Sequence, residues 1–216
     1  KAIVLGEGET EVQALPIFCQ QHWGLTPVES GLSFVDAKGC GNYYPFVTLA
    51  EAFQIPWYIF SDGEKDTKKG LKKLLKRTYN EDKELAEQNN IFIISSEKDF
   101  EGMLLDDGYK DEIEKAIEQL KGEGYIDEFI RKFNHKPKGR GQTPNICKSC
   151  NQHIFVDIER IYDGEDDRLT ALDDIMEKNK AQLGPVLANC IIESEKPLPP
   201  LVVKLFDGIK KDICHV

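Results

Sequence analysis

An alternation confined to the first hundred residues restricts the fold more than any other feature of the chain. Short β-rich runs at Ala2 to Leu5, Leu32 to Val35, Trp57 to Phe60 and Ile91 to Ile94 are separated by helical patterns at about Glu9 to Trp23, Tyr43 to Phe53 and Asp66 to Tyr79. Apolar runs of four or five residues suit strands buried on both faces, and strands that alternate with helices need crossovers, which make a parallel sheet. This half is predicted to be α/β, with a mainly parallel four-stranded sheet flanked by helices. In such open sheets chemistry lies at the carboxyl ends of the strands. The residues after Leu5, Phe60 and Ile94 are all rich in acid.

From about Tyr109 the pattern turns helical, with Ile113, Ile117 and Leu120 on one face and Ile126, Phe129, Ile130 and Phe133 on another. Further helices are expected at Leu169 to Lys178, Leu183 to Ile192 and Leu201 to Ile213. Pro137, Gly139, Gly141 and Pro144, set among basic residues, read as a long surface loop or insertion between Asn134 and Cys150. The expected division is a core over 1–108 and a helical subdomain over 109–216, with the insertion at about 134–155. At 216 residues the chain can bury a sizeable core, and no apolar run approaches the roughly 18 residues of a membrane helix. No membrane partner is expected. The start, Lys1-Ala2-Ile3-Val4-Leu5, lacks the parts of a signal peptide and reads as the first strand of a domain from a longer protein.

The net charge of −10 argues against coating a nucleic acid by bulk charge, so contact with a polyanion needs local basic patches or metal ions. Gly6-Glu7-Gly8-Glu9-Thr10-Glu11 follows the first strand and opens the first helix. Glu7 at the strand end and Glu11 in the first helical turn can share a divalent cation, because hard Mg²⁺ or Mn²⁺ takes oxygen ligands. The plainer reading is that Thr10 caps the helix and the acids offset its dipole. Asp62 and Glu64 after the third strand, and Asp99 and Glu101 after the fourth, bring acids from three strand ends to one rim. So many like charges without a counter-ion would raise their own pKa values and cost stability, which favours a metal.

Glu7-Gly8-x-Thr10-Glu11 with Leu15-Pro16, Gly39-Cys40-Gly41-Asn42, and Ser61-Asp62-Gly63-Glu64 at these spacings resemble the Toprim domain of the OLD (overcoming lysogenization defect) family nucleases. The resemblance covers residues 1 to 105 strongly and continues weakly to about 195. It implies a metal-dependent DNA endonuclease domain with two Mg²⁺ or Mn²⁺ ions. It also implies fusion to an N-terminal ABC-type ATPase, through which the protein could form homo-oligomers. This chain contains no G-x-x-x-x-G-K-[ST] phosphate loop. By position, Glu7 and Glu11 match the first acidic motif, Asp62 and Glu64 the acid pair, and Asp99 and Glu101 the later motif. The expected arrangement puts Glu7, Asp62 and Glu64 around one ion and Glu11 with Asp99 or Glu101 around the other. Glu7 doubles as a proton acceptor, and Lys180 stabilises charge on the phosphate, with Lys178 its close competitor. The pair reads Asp-x-Glu where the family usually has Asp-x-Asp, and Gly6 stands where it usually has an apolar residue. Primase or topoisomerase chemistry on the same fold, or a metal-bound scaffold that docks an ATPase or nuclease without cutting, are the alternatives.

Lys65, Lys68, Lys69, Lys72, Lys73 and Lys76 follow helical spacing opposite Leu71, Leu74 and Leu75, so they form either a DNA-backbone face or a solvated one. Arg131, Lys132, Lys136, Lys138 and Arg140 form a second basic segment, suited to gripping DNA or to a simple insertion. Cys147-Lys148-Ser149-Cys150 with His153, and His135 upstream, are candidates for one structural Zn²⁺. Two free thiols in a loop are the other reading. Cys19, Cys40, Cys190 and Cys214 have no partner spacing and read as small core or surface residues, and cysteines so placed suit a reducing, cytoplasmic setting.

Overall fold

The computed structural model describes residues 1–213, apart from the side chains of residues 165–167; Cys214 lies outside them. In chain order the elements are β1 (Ala2–Gly6), α1 (Glu9–Trp23), β2 (Leu32–Asp36), α2 (Tyr43–Ala52), β3 (Trp57–Ser61), α3 (Lys65–Tyr79), β4 (Ile91–Ile93) and α4 (Phe100–Asp106). The second half adds α5 (Lys110–Lys121), α6 (Tyr125–Phe133), β5 (Pro137–Ile146), β6 (His153–Glu159), α7 (Glu165–Glu177), α8 (Lys180–Glu193) and α9 (Pro200–Ile213).

The first four strands make one parallel sheet in the order β2-β1-β3-β4. Alternate side chains leave a strand on opposite faces. Val4 enters a core with Ala14, Leu15 and Phe18 of α1, whereas Leu5 enters a second core with Val47 of α2 and Leu71 of α3. The sheet is therefore covered on both sides, which is why its strands read as unbroken apolar runs. From β1 the chain moves to one side for β2 and then returns to place β3 on the other. The strand order reverses between β1 and β3, and the crevice at their carboxyl ends is where such sheets bind ligands.

The later helices close over the α1 side. Ile113 and Ile117 of α5, Leu183 and Leu187 of α8, and Leu205 and Phe206 of α9 share one core with Val4, Tyr58 and Phe60 of the sheet. Helix α8 lies very close to α1: a Cβ at Gly184 would stand 2.6 Å from the Thr10 carbonyl oxygen. Only glycine allows that approach, which carries Lys180, one turn earlier, to the N-terminal end of α1.

The segment expected as a loop between Asn134 and Cys150 is instead one arm of an antiparallel hairpin. β5 and β6 pair from Pro137 with Glu159 to Ile146 with His153, with register shifts at Pro137/Gly139 and Gln142/Ile146. The hairpin is exposed along nearly its whole length. With no core against one face, nothing demands the polar-apolar alternation by which a strand is recognised. Among the described residues no helix is long and apolar enough to cross a membrane.

Candidate metal-binding acid rim

Glu7 follows β1 directly, and its carboxylate is held from below. Ser61, the last residue of β3, donates its hydroxyl to Glu7 Oε2 at 2.8 Å, and Thr67 of α3 donates to Glu7 Oε1 at 3.1 Å. The buried Tyr43 hydroxyl donates in turn to Ser61 Oγ at 3.3 Å. The Gly39 N–H donates to the Glu7 carbonyl at 3.0 Å. Gly39 has φ 106°, so the glycine-rich turn over 39–42 takes a path that residues with a Cβ rarely adopt. At Gly6 the space a Cβ would take is filled by Val12 Cγ2, so the corner is closely packed.

Helix α1 opens at Gly8, whose N–H donates to Glu11 Oε1. Glu11 is buried, and that burial raises its pKa despite the backbone donors that favour its charged form. Thr10 is not the cap expected from the sequence. Its hydroxyl crosses to Glu101 Oε1 at 2.6 Å, tying the start of α1 to α4.

Asp62 and Gly63 leave β3 toward the same crevice. The Gly63 N–H donates to the Lys98 carbonyl at 2.8 Å, and a Cβ on Gly63 would lie 2.1 Å from the Ile94 carbonyl oxygen, so the loops after β3 and β4 are pressed together. Beyond β4, Ser96 and Glu97 are both left-handed, with φ 62° and 56°, and reverse the chain so that Asp99 caps α4 by accepting from the Gly102 N–H at 2.9 Å. The deeply buried Glu101 follows in the first turn.

These placements bring Glu7, Glu11, Asp62, Asp99 and Glu101 into one electrostatic neighbourhood. Burial, then the charges of Glu11, Glu7, Asp99 and Glu101, push the Asp62 pKa up to about 8. Burial chiefly raises Glu101 to about 7. Lys180 Nζ stands 3.6 Å from Asp99 Oδ2 and 3.9 Å from Glu101 Oε2. Burial works against its charge, but Glu101, Asp99, Asp62 and Glu11 more than compensate and raise its pKa. Lys178, its competitor in the sequence, lies instead over the rings of Phe129 and Phe133, 5.0 and 4.9 Å from their centroids. Glu64 is exposed at the start of α3 and caps no backbone donor. Sequence reasoning missed Ser61, Thr67 and Tyr43, which position Glu7, and Asp173 of α7, whose pKa is raised by burial and then by the charge of Asp99.

The donor set suits a hard divalent cation, since every candidate ligand is a carboxylate oxygen and the cluster is short of positive charge. The side chains do not already enclose an ion: among the described residues no group of three or more His, Cys, Asp or Glu is gathered to hold one. In metal-free protein the proton on Asp62 has a measurable consequence. Unfolded aspartate releases it near pH 3.8, whereas the folded state keeps it to about pH 8. The stability contributed by the neutral carboxyl is therefore complete below about pH 4 and lost as pH rises through 8. Denaturant unfolding in EDTA should show lower stability at pH 8 than at pH 5, and Asp62→Asn should flatten that difference.

The lysine stripe lies, as expected, on the face of α3 opposite the buried Leu71, Leu74 and Leu75. On α3, Lys65 pairs with Glu97 at 3.2 Å, Lys69 with Asp66 at 2.9 Å, Lys72 with Glu84 at 3.2 Å and Lys76 with Asp82 at 3.1 Å, while Lys68 has no ion pair among the described residues. Much of the stripe's charge is locally offset. The four zinc candidates do not meet. Cys147 and Cys150 form the hairpin tip, where nearby N–H donors of Ser149 and Cys150 lower the Cys147 pKa, and His153 Nδ1 is 3.4 Å from the Thr143 carbonyl. His135 is excluded as their co-ligand, because it sits at the hairpin base, 3.3 Å from Asp163, with the β5–β6 ladder between. Cys19 and Cys190 are buried, and Cys40 is half-buried near Glu7.

Residues 1–63 match the family described as the overcoming lysogenization defect protein-like TOPRIM domain. The match covers the first three strands of the sheet and the acids at Glu7, Glu11 and Asp62. Among the solved structures that resemble the chain over nearly its whole length are two from different organisms. One is the C-terminal region of the Xanthomonas campestris pv. campestris OLD protein, at a TM-score of 0.64 and 18% identity, covering 99% of this chain and 96% of that one. The other is the C-terminal region of the Burkholderia pseudomallei OLD protein, at a TM-score of 0.62 and 17% identity, covering 98% of each. At that identity the likeness shows the fold, and it spans the helices that bear Lys180 as well as the sheet. No curated protein matches the chain.

Proposed function

We propose that this chain is an OLD-like Toprim domain and a metal-dependent DNA endonuclease that hydrolyses phosphodiester bonds. The observation that carries the reading is that Asp62, which follows β3, is pressed by the carboxylates that follow β1 and β4, at the point where the strand order reverses. Glu7, Asp62 and the outer Glu64 would hold one Mg²⁺ or Mn²⁺, and Glu11 with Asp99 or Glu101 the other. When bound, such ions supply Lewis-acid stabilisation of the phosphate and activation of water. Glu7, its two oxygens fixed by Ser61 and Thr67, accepts the proton of the attacking water. Lys180, kept cationic by the acids around it, offsets charge that grows on the phosphate and leaving oxygen. Thr10 and Gly184 hold α1, α4 and α8 together and thus set the distance between these two residues.

The core over 1–108 carries the acids and the helical part over 109–216 carries Lys180, so both are needed for cutting. The resemblance to OLD nucleases supports an N-terminal ABC-type ATPase as the partner in the whole protein, with assembly through that half, and the free cysteines among the described residues support a cytoplasmic setting. The test is cleavage of supercoiled plasmid by this domain. Added Mg²⁺ or Mn²⁺ should give nicked or linear product, and EDTA should abolish it. A rate indifferent to EDTA would overturn the proposal.

A further inference from the structure

The hairpin stands out electrostatically from the rest of the molecule. From Phe129 to Val156 the chain holds six Lys or Arg and no Asp or Glu, although the protein has 38 acidic residues and a net charge of −10. Two of the six cations are consumed in holding the arm. Lys138 pairs with the buried Asp174 on α7 and, at 3.9 Å, with Glu177, while Arg140 pairs with Asp157 on the facing strand at 3.2 Å. Asp174 also accepts the Tyr162 hydroxyl at 2.6 Å and faces Arg160 at 3.4 Å, so the base of the arm is clamped to α7. The other four, Arg131, Lys132, Lys136 and Lys148, are exposed and have no ion pair among the described residues.

Those four lie at the two ends of the arm. Arg131 and Lys132 end α6, Lys136 precedes β5, and Lys148 is in the tip between the two cysteines. At about 3.3 Å per residue, a ten-residue β5 separates base from tip by roughly 30 Å. That is close to one turn of B-form DNA, about 34 Å, and a two-stranded ribbon is narrow enough to follow a duplex groove. The base also adjoins the acid rim: Asp174 clamps the arm, its neighbour Asp173 feels the charge of Asp99, and α7 runs on to Lys180.

We infer that the β5–β6 hairpin is a duplex-DNA grip, in which Arg131, Lys132 and Lys136 at the base and Lys148 at the tip contact phosphates about one helical turn apart and seat the duplex beside the acid rim. The inference rests on the endonuclease reading for its substrate and adds the surface that holds it. Acid surface elsewhere repels a polyanion, and most of the α3 lysines already have carboxylate partners, which leaves the arm, whose only acids are Asp157 and Glu159 on β6, as the favourable approach.

The experiment measures binding of a labelled 30-base-pair duplex against salt concentration, in Ca²⁺ so that the substrate stays whole. The variant R131Q/K132Q/K136Q/K148Q should lower the log–log salt slope by about 3 to 4, since each phosphate contact contributes about 0.9. It should also lose at least tenfold in affinity near physiological salt, with unchanged circular dichroism and melting. The matching variant K65Q/K69Q/K72Q/K76Q should change the slope by less than one. An unchanged slope in the hairpin variant overturns the inference, as does a slope lost only in the α3 variant. A third contrary result is a self-association of the parent that Val156→Thr abolishes without effect on DNA binding, which would give the exposed face of Ile154, Val156 and Ile158 to a second copy. Cleavage in Mg²⁺ separates the two proposals: hairpin-dependent binding without cleavage removes the endonuclease reading alone, and metal-dependent cleavage with an unchanged slope removes the grip alone.

Discussion

Asp62→Asn is expected to lose at least about 10²-fold in plasmid cleavage while the domain remains folded, because an ion's stabilisation of the transition state is worth several kcal/mol and each 1.4 kcal/mol is tenfold in rate. Asparagine keeps the shape of the side chain and removes the charge on which Glu11, Glu7, Asp99 and Glu101 converge. Glu11→Gln should behave alike, since glutamine can still accept the Gly8 N–H that opens α1. In EDTA both variants should melt no lower than the parent, because each relieves repulsion within the cluster. Only the parent should gain full stability as Mn²⁺ is added, by preferential binding to the folded state. Catalytic loss accompanied by unfolding would show the acids to be structural, and full activity in both variants would remove the rim from the chemistry.

Lys180→Met should slow cleavage by about 10²-fold at saturating DNA, the magnitude typical of losing one preorganised electrostatic contact to the reacting group. Its effect on metal affinity should run the other way. Removing a cation 3.6 Å from Asp99 and 3.9 Å from Glu101 makes the cluster more negative, so the variant should bind Mn²⁺ at least as tightly as the parent. A merely structural lysine would not slow cleavage while strengthening metal binding. Lys178→Met is the control. It gives up contacts with Phe129 and Phe133 worth no more than about 1 kcal/mol at an exposed site and should leave the rate unchanged.

The sheet was legible in the sequence because strands such as Trp57–Ser61 are buried on both faces and must be apolar throughout. Their order and the helices between them place acids at three carboxyl ends, which is why the rim could be anticipated from local motifs. The hairpin was not legible, because burial imposes no pattern on an exposed ribbon containing Pro137, Gly139, Gly141 and Pro144. Helix α4 was hidden by its length of seven residues and by the two left-handed residues before its cap. Contacts between distant parts of the chain were hidden too. Nothing local links Ser61 and Thr67 to Glu7, or Thr10 to Glu101 across 91 positions, and yet these hydroxyls aim the carboxylates. Lys178 and Lys180 are separated only by packing, one on aromatic rings and the other on the rim. The expectation that Glu64 shares an ion with Glu7 and Asp62 came from motif spacing alone. Its exposure makes it the outermost of the six candidates.

The central claim, that the rim is a divalent-cation site, is tested most directly by titrating Mn²⁺ into the metal-free parent and into Asp62→Asn calorimetrically at pH 6 and pH 8. The account predicts two ions per parent chain and tighter binding at pH 8, because an ion must displace the proton that Asp62 retains to about that pH. It also predicts loss of at least tenfold in affinity for one or both ions in Asp62→Asn. Binding that is absent in the parent, or equal in the two proteins and indifferent to pH, would contradict it.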